Sequence, residues 1–298
     1  MPTWRRPGAV MPTWRRPGAV RPTRRACLGA AAAALPSAVF ATRSRAPMAA
    51  MTFNLRVPVD TAPERRWEAR LPVAASLLRR HAPDVVGTQE TLLRQVGDLI
   101  DALPAYGWIG RGRRGGDADE HMAILYRRDR WRVAMQGDFW FSDTPRVPGS
   151  MGWGNVYPRM VTWALLAGRG DGRRSYVVNT HLPYRAEDAA VRTRCARMLA
   201  DWIAALPRGV PVVLTGDFNA APDEPAHGVL TATLADARVV TAVREGPDAT
   251  FHDFTGKADR RIDWILCRGL TPRRCATLTD HAGAVWPSDH FPVLAEFE

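Results

Sequence analysis

Pro211-Val212-Val213-Leu214-Thr215-Gly216-Asp217-Phe218-Asn219 is the stretch on which the reading of this chain turns. Pro211 to Leu214 reads as a buried strand, and within five residues it runs into a glycine, an acid and an amide. The same ending recurs elsewhere. Asn54 closes Met51-Thr52-Phe53, and Gln89-Glu90 follow Val85-Val86-Gly87-Thr88. Asn179-Thr180-His181 follow Tyr176-Val177-Val178, and Ser288-Asp289-His290 precede Phe291-Pro292-Val293. Asp263 lies inside Arg261-Ile262-Asp263-Trp264-Ile265-Leu266, an apolar setting in which a charge is costly unless it is paired. One such ending is an ordinary turn or cap, because Asp and Asn bond their own backbone. Six in one chain point to a shared site, and amides and carboxylates at strand mouths suit an oxygen-ligated cation.

Outward from these endings the chain alternates short apolar runs with amphipathic stretches. Strands are predicted at Ala123–Tyr126, Trp131–Met135, Val161–Leu166, Ser175–Asn179, Ile262–Leu266, Ala276–Leu278 and Phe291–Phe297. Helical spacing covers Leu92–Leu103, Ala189–Leu206 and a segment ending at His81, whose regular part is expected to begin at Pro72. Strands outnumber helices, so the pattern predicts an α+β layered domain over residues 48–298. The Gly/Pro-rich loop from Ser142 to Arg159 is long enough to suggest function. Trp153 within it is a candidate substrate contact, as is His252 near the end of the chain. Cys267 reads as packed in a strand, with pairing to Cys275 the alternative.

The formal charge of +11 suggests a nucleic-acid or acidic-membrane partner only until its distribution is read. Residues 1–41 hold seven arginines and no acid, which leaves 34 basic against 30 acidic residues. The decapeptide Met1–Val10 repeats as Met11–Val20, too short for a stacking repeat, and Met11 is a plausible initiator. Arg24-Arg25 then precede a short apolar stretch from Gly29 to Phe40 and small residues near Ala41. Residues 1–47 are therefore expected to be an export leader of twin-arginine type, with a periplasmic or extracellular destination. No run approaches the ~20 apolar residues of a membrane span, so no integral membrane domain is expected.

The ordered set Asn54, Gln89-Glu90, Asn179-His181, Gly216-Asp217-Phe218-Asn219, Asp263 and Ser288-Asp289-His290 resembles the endonuclease/exonuclease/phosphatase superfamily, from about Met51 to Glu298. That resemblance implies a DNase I-like four-layer αββα sandwich, with two mainly antiparallel sheets flanked by helices. It also implies hydrolysis of a phosphoester with Mg²⁺ or Mn²⁺. Carried over by residue, Asn54 and Glu90 would hold the metal with Asp289, and Asp217 and Asn219 would orient water or hold a second ion. His290, fixed by Asp263, and His181 would act on the phosphoryl group, with either Asp217 or His290 as the base. Glu120-His121-Met122-Ala123-Ile124-Leu125-Tyr126 and Pro158-Arg159 resemble a bacterial branch near the deadenylase-like group, in which Arg159 would reach the phosphate. Glu120 is a further candidate for metal or substrate.

Two departures stand out. Arg56 occupies a position where apurinic endonucleases carry an acid, which makes it a candidate substrate contact, and Leu182-Pro183-Tyr184-Arg185 follows His181 where relatives often have an Asp-His pair. Both weaken a DNA-repair reading. The leading expectation is an exported, monomeric phosphoesterase acting on a lipid headgroup, sugar phosphate or nucleotide. An extracellular nuclease is the alternative, and a binding protein without catalysis the rival from another class.

Overall fold

The computed structural model describes residues 47–298, so the decapeptide repeat and the twin-arginine segment lie outside the described residues. In chain order the elements are β1 (Met48–Asn54), α1 (Trp67–His81), β2 (Val85–Gln89), α2 (Leu93–Ala102), β3 (Tyr106–Ile109), β4 (Ile124–Arg127) and β5 (Trp131–Trp140). They continue with β6 (Met160–Gly168), β7 (Arg174–His181), α3 (Ala189–Ala204), β8 (Val212–Asp217), α4 (Pro225–Thr231), β9 (Ala235–Asp236) and α5 (Ala237–Val240). β10 (Val243–Glu245), β11 (Asp263–Arg268), β12 (Pro272–Thr277) and β13 (Val293–Phe297) complete the order. Seven strands form one sheet, β10-β12-β13-β1-β2-β4-β3, and six form another, β5-β6-β7-β8-β11-β9. Pairing is antiparallel except between β1 and β2, β10 and β12, and β7 and β8.

Three apolar clusters correspond to the three interfaces of a four-layer sandwich. Trp67, Leu77 and Leu78 of α1 and Val96 and Leu99 of α2 pack on Met51, Phe53, Val86 and Leu125 of the first sheet. Cys195, Leu199 and Ile203 of α3 pack on Val178, Leu214, Trp264 and Leu266 of the second. Between the sheets, Ala50, Val85 and Ile124 meet Ala164, Val177, Val213 and Ile265. Each of these large side chains contributes roughly 1.5–3 kcal/mol on full burial.

Strand parity then fixes where the polar endings go. Side chains alternate between faces, so residues two apart share a face. Ala50 faces the other sheet, and so therefore do Thr52 and Asn54; Val85 does, and so do Gly87 and Gln89. By the same count Val177 carries Asn179 and His181, Val213 carries Thr215 and Asp217, and Ile265 carries Asp263 onto the inter-sheet face. The register places His181 beside Asp217 and Asp217 opposite Asp263, so chain-distant residues reach one end of the sandwich together.

Just beneath that end the sheets are tied by hydrogen bonds instead of apolar packing. Gln89 Nε2 donates to Asn179 Oδ1 at 2.7 Å and to Thr52 Oγ1 at 3.1 Å, and Thr215 Oγ1 donates to Asn179 Oδ1 at 3.1 Å. Asn179 Nδ2 donates to the carbonyls of Thr88 and Ala123. The sheets approach so closely here that a Cβ on Gly87 would collide with Thr215 Oγ1 and Asn179 Oδ1.

α1 differs from the sequence expectation, because its regular part starts at Trp67 with Pro72 inside. Two buried anchors explain this. Trp67 Nε1 donates to Asp98, and the Arg70 guanidinium donates to the carbonyls of Leu55, Arg56, Arg65 and Pro287. Leaving any one of those carbonyls unsatisfied costs about 1–3 kcal/mol, which outweighs a single helix bond missing at Pro72. Cys267 and Cys275 are buried free thiols packed between the sheets, so the alternative of a disulfide is not realised. No helix among the described residues is long and apolar enough to cross a membrane.

Candidate active site

The convergent endings open into a cavity of about 370 Å³. Of the residues singled out from sequence, Arg56, Glu90, Glu120, Arg159, His181, Asp217, Asn219, Asp289 and His290 line it. Asn54 and Asp263 sit one layer behind, each bonded to a lining residue. His252 and Trp153 are not in the lining. His252 is stacked on Phe291 at 4.0 Å and receives the Gly256 N–H, behind the wall that His290 presents. Trp153 packs against the α3 side of the core, donates to Asp143, and carries the Arg194 guanidinium over its ring. Neither therefore lines the cavity wall, although both were singled out from sequence as aromatics in polar loops.

Asp217 is central. Its Oδ1 accepts from the Asn219 N–H at 3.0 Å and its Oδ2 from Asn54 Nδ2 at 2.9 Å. The same Asn54 amide donates to Glu90 Oε1 at 3.2 Å, and its oxygen accepts the Arg56 N–H. Asn54 therefore braces two carboxylates against each other. Burial raises the Asp217 carboxyl well above the usual range, and the nearby charge of Asp263 raises it further. Two left-handed residues shape this corner, Glu90 at φ 54° just past β2 and Asn219 at φ 48° just past β8. Such backbone is costly for residues other than glycine and clusters at functional sites.

Two histidines flank Asp217, and only His290 bonds a carboxylate of its own. His290 Nδ1 lies 2.9 Å from Asp263 Oδ2, and its Nε2 lies 3.9 Å from Asp217 Oδ2. Burial alone would suppress its charge, but Asp263, by charge and hydrogen bond, with Asp217 and Asp289, pushes its pKa up to about 10. These carboxylates favour the imidazolium form of His290, with Nδ1 donating to Asp263. His181 is the opposite case. Its Nε2 receives Asn219 Nδ2 at 3.0 Å, which leaves the proton on Nδ1. Burial, then Arg159, Arg113 and His290, holds it far below the ordinary range, so it stays neutral. That buried Nδ1 has no hydrogen-bond partner; the nearest carboxylate oxygen is Glu120 Oε2 at 4.0 Å.

The opposite wall is cationic. Arg159 is 5% exposed, and its buried Nη1 has no partner. Arg113 pairs with Asp119 and with Glu120 Oε2 at 2.8 Å, and stacks over Tyr157. Burial pushes the Glu120 carboxyl up to about 7, despite the opposing charge of Arg113. Arg113, Tyr157, Tyr184, Phe251 and Arg260 also line the cavity and were not singled out from sequence. Arg113 lies in a Gly/Arg-rich turn that composition could not distinguish from other surface turns. Tyr184 lies in the segment after His181 that had only been noted as a departure.

The donor set fits a hard divalent cation. Glu90 and Asp217 bring carboxylate oxygens within 4.8 Å of each other beside His181, whose Nε2 is engaged by Asn219, and Asp289 adds a further carboxylate to the lining. A second such group, Asp217, Asp263 and His290, is accounted for by the Asp263–His290 hydrogen bond. Crowded buried carboxylates of this kind are stabilised by positive charge brought between them.

A model of the Endonuclease/Exonuclease/phosphatase family matches residues 51–290. The mannosyl-6-phosphatase of Bacteroides thetaiotaomicron is 33% identical, with 84% of this chain and 99% of that one aligned at a TM-score of 0.80. An endonuclease/exonuclease/phosphatase family protein of the same organism is also 33% identical, over 85% and 97% of the two chains, at 0.80. Carbon catabolite repressor protein 4 homolog 3 of Arabidopsis thaliana is 22% identical over 76% of this chain. The chain spans about half the length of the curated relatives it matches.

Proposed function

The chain belongs to the endonuclease/exonuclease/phosphatase family and is a hydrolase of phosphoester bonds, and we propose that it releases phosphate from small polyol monoesters using Mg²⁺ or Mn²⁺. The observation that carries this reading is a pair of buried donors without acceptors, His181 Nδ1 and Arg159 Nη1, on the wall of a cavity whose floor is carboxylate. Unpaired buried donors are costly in the resting protein. A phosphoryl group satisfies them, and guanidinium geometry suits two of its oxygens.

Glu90 and Asp217, braced by Asn54, would hold the cation; when bound it supplies charge to a phosphoryl oxygen and a lowered pKa to the attacking water. The chain's own residues do the rest. Arg159, His181 Nδ1–H and the His290 imidazolium meet the charge that grows on the phosphoryl oxygens, the kind of fixed donor array that stabilises a transition state. Asp263 keeps His290 charged and oriented. Asn219 sets Asp217 and the His181 tautomer from one residue, with its backbone N–H and its side chain. Glu120, near neutrality, carries a proton for the leaving oxygen, as a carboxyl with raised pKa can.

Three observations favour a small monoester over nucleic acid. The cavity is of small-ligand size. Residues 48–298 hold 32 basic against 30 acidic residues, which supplies little of the charge that phosphate-backbone binding needs. A relative one-third identical over nearly its whole length is a sugar phosphatase. The test is phosphate release from hexose 6-phosphates, glycerol phosphate and p-nitrophenyl phosphate, beside plasmid DNA and polyadenylate. Turnover of the monoesters supports the reading; nucleic-acid cleavage with inert monoesters overturns it in favour of the nuclease alternative. Export through residues 1–47 is part of the same proposal, supported by Arg24-Arg25 before the apolar stretch. Replacing both by lysine should retain the protein in the cytoplasm, and unchanged export would refute the twin-arginine route.

A further inference from the structure

Arg56 sits among the carboxylates of the candidate metal site. Its guanidinium Nε lies 3.2 Å from Asp60 Oδ2 and 3.7 Å from Asp289 Oδ2, and Nη1 lies 3.9 Å from Glu90 Oε2. The backbone beneath it is held on three sides. The Arg56 N–H donates to Asn54 Oδ1, and its carbonyl receives Arg70 Nη2 and Gln95 Nε2, at a left-handed φ of 53°. Such a backbone is not adopted casually by arginine. It fixes the side chain over the carboxylates.

Glu90 is consequently divided. Its Oε1 faces the Asn54 amide, which it shares with Asp217, while its Oε2 faces the Val57 N–H and Arg56. One side of the cluster is open to an external cation and the other already holds a covalently attached one. From this division we propose that Arg56 is a resident second cation: it neutralises the Asp289 side, so that a single divalent ion, on the Glu90–Asp217 side, saturates the site. The inference rests on the metal-dependent reading above. A guanidinium differs from a second metal ion in a useful way, because it is always charged and supplies directional donors to Asp60 without requiring dehydration.

The test counts ions, independently of turnover. Mn²⁺ is titrated into the full chain, cleared of metal beforehand, and free ion is read by electron paramagnetic resonance. The wild type should bind one Mn²⁺. Arg56→Met should bind two, the second at least about tenfold more tightly than any second ion in the wild type, since one unit of repelling charge is gone. Arg56→Lys should return the count to one. Two ions in the wild type, or one in both wild type and Arg56→Met, overturns the proposal. No binding by the wild type would instead remove the metal-dependent reading itself. Arg56→Gln, also uncharged, should likewise bind two, and it carries the test where circular dichroism shows Arg56→Met unfolded; a single ion in folded Arg56→Gln overturns the proposal.

Discussion

Replacing Asp263 by asparagine should turn His290 from an imidazolium into a largely neutral ring at physiological pH. Asp263 Oδ2 is 2.9 Å from His290 Nδ1, and it is the leading influence holding the ring near 10 against burial. With charge centres about 4 Å apart and an effective dielectric near 20, the pair is worth about 4 kcal/mol, or about 3 pKa units. The amide in Asp263→Asn keeps the shape of the carboxylate and loses its charge, so His290 should titrate near 7. The sign follows from the direction of the shift. A raised histidine stabilises the fold fully below its unfolded value of about 6.5, and that contribution fades as pH rises towards 10 in the wild type. In Asp263→Asn it should fade by about pH 8. The assay is a heteronuclear NMR titration of the imidazole in the metal-free protein, beside a pH profile of kcat. The variant should lose about 10²–10³ in kcat at pH 8, as expected when a preorganised charged donor to the phosphoryl oxygens is lost. A wild-type His290 that titrates near 6.5, or a variant that still titrates near 10, would refute the electrostatic argument.

Other expectations concern the remaining walls of the cavity. Glu120, with its carboxyl near 7, should make kcat fall as pH rises above that value, and Glu120→Gln should abolish this alkaline limb and lower kcat for substrates with poor leaving groups. p-Nitrophenyl phosphate, whose leaving group needs no proton, should be nearly unaffected; equal losses on both substrates would deny the acid role. Arg159→Met should reduce kcat/KM by about 10²-fold or more through loss of a bidentate phosphate contact, with a melting temperature no lower than that of the wild type. Gly87→Ala should destabilise the fold by about 1–3 kcal/mol in urea titration, because the added methyl meets Thr215 and Asn179. A neutral result at Gly87 would mean that the sheets are not braced as described.

The six polar strand endings were legible because each breaks an apolar run, and parity alone sends them to one face. The pairing of Asp263 with His290 was implied by the family resemblance and is present at 2.9 Å. What the sequence could not supply was the opposite charge preferences of His290 and His181, which depend on which carboxylates and arginines surround each ring. The early start of α1 was hidden because its cause is tertiary: Arg70 is held by carbonyls from two distant loops, which no local propensity for proline anticipates. The short strands β3, β9 and β10 were missed for the same reason, being defined by their neighbours in the sheet. That His252 and Trp153 stand outside the cavity lining was not legible, because loop residues carry no periodicity from which facing can be inferred.

The central claim is that the Asp217 cluster hydrolyses a phosphomonoester with a divalent cation. The most direct measurement is inorganic phosphate released from hexose 6-phosphate by the chelator-stripped protein, with and without added Mn²⁺, in wild type and Asp217→Ala. Turnover should appear only when Mn²⁺ is restored, and should fall by at least about 10³-fold in the folded variant. Undiminished release by Asp217→Ala, or release that persists in excess chelator, would contradict it.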